Sequence, residues 1–128
     1  MLTAVKEVLE AHPEVDLAYL FGSRAKGCSR ADSDVDLGIS ARVSDLAGLK
    51  LQLLEELAAA GCERADITFF EQVTPFMRYE MIRHNHLLYC REGVSSGALF
   101  SRCLNEYLDL EPDLRVQREA YKRRVLHG

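Results

Sequence analysis

Residues 19–40 confine this chain more than any other stretch: Tyr-Leu-Phe-Gly-Ser-Arg-Ala-Lys-Gly-Cys-Ser-Arg-Ala-Asp-Ser-Asp-Val-Asp-Leu-Gly-Ile-Ser. An apolar run ends at Gly22-Ser23 and a second begins at Asp34-Val35-Asp36, which predicts a strand, a tight turn, a short linker and another strand. Side chains alternate along a strand, so Asp34 and Asp36 project from one face while Val35, Leu37 and Ile39 point into a core. Neighbouring carboxylates repel, and a fold keeps them side by side when a cation sits between them. Hard oxygen donors of this kind suit magnesium, which binds through one or two carboxylates plus substrate phosphates.

The other end of the stretch supplies an anion site. A turn or two of helix is expected from Ser23 to Lys26, with Gly27 as its stop. A helix start offers free N–H groups and partial positive charge, both favourable to phosphate. Gly22 lets an oxygen approach the backbone, Ser23 adds a hydroxyl donor, and Arg24, Lys26 and Arg30 place positive charge nearby.

Gly22-Ser23, ten residues, then Asp34-x-Asp36 resembles the signature of the nucleotidyltransferase fold shared with DNA polymerase beta. The run Gly-Ser-Arg-Ala-x-Gly is similar to that of the minimal nucleotidyltransferases (MNT), many of which are antitoxin partners of HEPN-domain RNase toxins. The resemblance implies an α/β (α+β) fold, a small mixed sheet flanked by helices with a helical C-terminal extension.

Length and composition agree with one globular unit. The chain has 128 residues, 48% hydrophobic and 28% charged, and is expected to be a single domain over 1–128, with a core of about 15–90 and a helical segment over 95–126. A net charge of −4 gives no global attraction to nucleic acid, so direct DNA binding is not expected. Cys28, Cys62, Cys90 and Cys103 form no C-x-x-C pair, which points to reduced thiols. With no apolar run near 18 residues and no leader-like N-terminus, a cytoplasmic protein without membrane contact is expected.

In chain order, residues 3–11 read as a short helix capped by Thr3 and ended by His12-Pro13. The first strand, 15–21, carries Val15, Leu17, Tyr19 and Phe21 on one face, with Ala18 and Leu20 keeping the other apolar. Ser44 is expected to cap a helix over 45–60 whose stripe is Leu46, Leu49, Leu53 and Leu57, stopped by Gly61. Residues 64–70 read as a strand with Ile67 and Phe69 alternating with Asp66 and Thr68. An acid in such a strand is costly unless it is paired, exposed or bound to metal. Glu63 and Glu71 at the strand ends are weaker candidates. Thr74-Pro75 starts a helix reaching about His84, Asn85 turns the chain, and His86–Cys90 is a last strand. A helix carrying Leu99, Phe100, Cys103, Leu104, Tyr107 and Leu108 follows a cap at Ser95 or Ser96, and a final segment after Pro112 ends in the basic cluster Lys122-Arg123-Arg124.

The resemblance also implies chemistry. Asp34, Asp36 and a third carboxylate on the adjacent strand, matched here by Asp66, are the expected catalytic and metal-binding residues, holding two magnesium ions. Gly22, Ser23 and Arg24 are the expected nucleotide-phosphate contacts. The implied reaction is transfer of AMP from ATP to a hydroxyl, with a tyrosine of a cognate HEPN toxin as acceptor, which makes the chain a protein adenylyltransferase and antitoxin in a hetero-oligomer. Asp66 as a solvent-facing edge-strand residue, a small-molecule (aminoglycoside-like) acceptor, and a non-catalytic toxin-binding antitoxin are the open alternatives.

Overall fold

The computed structural model describes residues 2–22 and 35–110. Helix α1 (Leu2–Glu10) precedes strands β1 (Val15–Phe21) and β2 (Val35–Ala41); helix α2 (Leu46–Ala59) leads into β3 (Ala65–Phe69), and a 3₁₀ turn over Phe70–Gln72 leads into α3 (Pro75–Ile82) and β4 (Leu87–Cys90). A last helix, α4, spans 96–110 of the described chain. The four strands form one mixed sheet in the order β3-β2-β1-β4, with β1 antiparallel to β2 and β4, and β2 parallel to β3. A parallel neighbour requires a crossover, and α2 provides it.

Both faces of the sheet are covered, which is why β1 and β2 are apolar on both sides. On one face α1 and α2 pack Val5, Leu9, Leu49, Leu53 and Leu57 against Ala18, Leu20, Val35, Leu37, Ile39, Ile67 and Phe69. On the other, α3 and α4 bring Met81, Ile82, Leu99 and Cys103 onto Leu17, Tyr19 and Phe70. Gly38 is the point of closest approach there: a Cβ on it would come within 2.7 Å of the Met81 methyl. No helix of the described residues is long and apolar enough to cross a membrane.

Several local expectations are corrected. Val15 does not share a face with Leu17 and Tyr19 but joins Ala18 and Leu20, because the pairing of β1 with β2 slips between Val15 and Leu17 and an extra residue reverses side-chain alternation. That residue, Asp16, is held at Oδ1 by Arg42 Nε and Arg91 Nη2, both at 2.8 Å. Asp45, not Ser44, caps α2, accepting from the Gly48 amide at 2.9 Å, and Thr3 lies inside α1. The leucine stripe, the Thr74 cap (Met77 N at 3.3 Å) and the left-handed turn at Asn85 (φ 50°) are as expected. His12 is buried beside the Glu14 and Glu56 carboxylates, joining the end of α1 to α2. Cys62, Cys90 and Cys103 are free thiols. The segments expected over 23–26 and after Pro112, and Cys28, lie outside the described residues.

Candidate active site

Three strand ends meet where the carboxylates lie. Phe21, the last residue of β1, pairs with Asp36, and on the opposite side of β2 Asp36 stands in register with Asp66 of β3. Registered neighbours point to the same side of a sheet. Val35, Leu37 and Ile39 are buried against α1 and α2, so Asp36 and Asp66 both belong to the face carrying α3 and α4. Asp36 is half-buried and occupies a central strand, whereas β3 is an edge of the sheet.

Gly22 closes the site from below. The chain leaves β1 there with φ +76°, a conformation that L side chains seldom adopt. A Cβ on this residue would overlap Oδ2 of Asp36. Only hydrogen at this position lets the turn after β1 pass directly beneath the carboxylate.

Asp66 is arranged differently from Asp36. Its side chain is 66% exposed, and Oδ1 lies 3.6 Å from Lys50 Nζ while accepting the Ile67 amide at 2.9 Å. The open alternative of a solvent-facing edge-strand acid therefore describes its present orientation, and its register beside Asp36 is equally a fact of the backbone. Lys50, on α2, has no sequence signal: it sits within a stripe whose spacing reads as packing, and only the crossover brings it to the edge of β3. Glu71 belongs elsewhere, accepting from Ser40 Oγ at 2.8 Å and the Ala41 amide at 3.2 Å, at the far end of β2. Asp34, Ser23 and Arg24 lie outside the described residues. Among the described residues no three His, Cys, Asp or Glu side chains group as a metal site.

The sequence model of the family described as polymerase beta, nucleotidyltransferase matches residues 3–93, more than half of the chain. The chain belongs to this family. No curated protein matches the nucleotidyltransferase in sequence, but solved structures share its fold. A toxin–antitoxin structure with AMP-PNP is similar at a TM-score of 0.72 and 19% identity, covering 98% of both chains. A tri-AMPylated Shewanella oneidensis HEPN toxin in complex with MNT antitoxin gives 0.65 and 18%, covering 98% of this chain and 99% of the other. The MntA–HepT toxin–antitoxin pair gives 0.66 and 17%, covering 98% and 96%.

The nucleotidyltransferase's donor set suits a hard cation. Asp36 and Asp66 offer carboxylate oxygens from adjacent strands at one register position, with no thiol or imidazole in the pairing. The Asp66–Lys50 contact is a long, exposed ion pair. Such pairs contribute about 0–1 kcal/mol, so exchanging Lys50 for a cation costs little.

Proposed function

We propose that this nucleotidyltransferase moves the adenylyl group of ATP to a tyrosine hydroxyl of a cognate HEPN RNase toxin and silences it, acting as its antitoxin. The observation that carries the chemistry is Asp36 standing between the Gly22 turn and Asp66. Support for the partner comes from the full-length likeness to toxin–antitoxin structures, one with AMP-PNP and one with an AMPylated HEPN toxin.

In the proposed reaction the acceptor oxygen attacks the α-phosphorus. The bond from that phosphorus to its bridging oxygen breaks, and pyrophosphate leaves with the electron pair. Gly22 N–H, Ser23 and Arg24 are assigned to the departing phosphates, where fixed donors stabilise developing charge without reorganising. Asp34, Asp36 and Asp66 are assigned as ligands of two magnesium ions, which when bound neutralise triphosphate charge and ease ionisation of the acceptor. Asp66, the most exposed of the described carboxylates at the site, is assigned to take the acceptor's proton. ATP as substrate makes the cytoplasm the expected setting.

The test is incubation of the chain with α-labelled ATP, magnesium and a HEPN protein encoded beside it that carries Arg-x(4–6)-His. Label is expected on the HEPN protein with the native chain and none with Asp36→Asn. Label on an aminoglycoside instead would make the acceptor a small molecule. Inhibition of the toxin without any label would make the chain a contact antitoxin, and full activity in Asp36→Asn would exclude the carboxylate role.

A further inference from the structure

Beside the carboxylates, on the same face of the sheet, lies a cavity of about 280 Å³ bounded by Tyr19, Asn85, Leu87, Ser96, Phe100 and Ser101. Tyr19 pairs with Gly38 two residues from the Phe21–Asp36 pair, so the cavity opens roughly 7 Å along β1 from the site. Asn85 is kept at that end of the sheet by the next residue, whose carbonyl accepts the Leu20 amide at 2.9 Å. We propose that this cavity is the nucleobase subsite of the transferase, an inference that rests on the assignment of a nucleoside triphosphate substrate.

Three features favour a base over a phosphate or a whole ligand. None of the bounding residues is charged, whereas a phosphate needs cations or clustered amides. The volume falls just below the roughly 300–1,000 Å³ of pockets that enclose entire ligands, so it suits one flat ring system with the rest of the molecule outside. The walls combine apolar surface from Leu87 and Phe100 with hydroxyls and the Asn85 amide, which offers both donor and acceptor, as the edge of a purine requires. Tyr19 and Phe100 give the cavity two aromatic residues, the side-chain type on which bases stack.

Gly97 also lines the cavity, and a Cβ there would meet nothing nearer than Ser95 Oγ at 3.9 Å. Gly97→Phe therefore fills the space from an exposed helical position without disturbing the core. Asn85→Gly removes the amide while keeping the left-handed turn. The experiment measures affinities of ATP and of inorganic tripolyphosphate, each with magnesium, by calorimetry on the native chain and both variants, with thermal melts to verify folding. Gly97→Phe is expected to weaken ATP on the order of tenfold or more, the value of one base contact, and to leave tripolyphosphate unchanged. Asn85→Gly should weaken ATP several-fold with the same selectivity. Unchanged ATP affinity in a folded Gly97→Phe, or a native chain holding ATP no tighter than tripolyphosphate, overturns the subsite alone. A native chain that binds neither overturns the transferase assignment together with it.

Discussion

Gly22 is where the smallest substitution should do the most damage. Its φ of +76° costs an L residue about 1–2 kcal/mol, and the added methyl would displace the Asp36 carboxylate. Gly22→Ala is thus expected to lower Tm by several degrees and to remove the proposed AMP transfer, measured by melting and by the labelled-ATP assay. A variant that melts early yet transfers normally would show that Asp36 tolerates displacement. Lys50→Ala should behave oppositely. The pair it breaks is long and exposed at both ends, so its cost is under about 1 kcal/mol in chemical denaturation. The residues that touch the proposed reaction differ in legibility: the spacing of Asp34, Asp36 and Gly22 is local and readable, whereas Lys50 reaches Asp66 only through the fold.

Among the elements, β1 carries most of the consequences. Its irregular pairing places Asp16 where two arginines converge on one oxygen, and Arg91 Nε is already buried without a partner among the described residues. Asp16→Ala would leave that guanidinium without its anion, a loss of about 1–3 kcal/mol, and equilibrium urea unfolding checks it. A change below 0.5 kcal/mol would mean that water replaces the carboxylate. At the head of α2, Asp45→Ala should cost about 1 kcal/mol, whereas Ser44→Ala should cost almost nothing; the reverse order would restore Ser44 as the cap. Both residues are good caps by type, so composition alone does not choose between them. The bulge has no signature in the residue pattern for a similar reason. Val15, Leu17 and Tyr19 satisfy a two-residue period perfectly, and only the partner strand reveals the slip between them.

For the molecule as a whole, the α3–α4 face predicts an alkaline limit. Burial raises the Tyr19 hydroxyl above its ordinary 10.0, helped by the Cys103 and Cys90 thiols. Burial likewise raises the Cys103 thiol above 9.0, with Glu106 adding to it. Each group releases its proton more readily when unfolded, so at high pH the unfolded chain binds fewer protons than the native one and stability falls with pH. The contribution is complete below about pH 9 and is lost as pH climbs through the raised values. Tm is expected to drop above pH 9, and Cys103→Ala combined with Tyr19→Phe should flatten that slope even where the variant is less stable at pH 7. A native Tm that stays level to pH 11 would show that neither group ionises with unfolding.

Most strand and helix identities, the α/β class and the turn at Gly22 were determined by the sequence itself, because each depends on neighbours within a few residues, where covalent geometry and side-chain periodicity dominate. The sheet order, the register that sets Asp36 beside Asp66, the edge position that exposes Asp66 to Lys50, and the cavity between β1, β4 and α4 were decided only by tertiary structure. Those features come from pairing and packing between distant segments, whose free energies depend on mutual contact and leave no local periodicity to read.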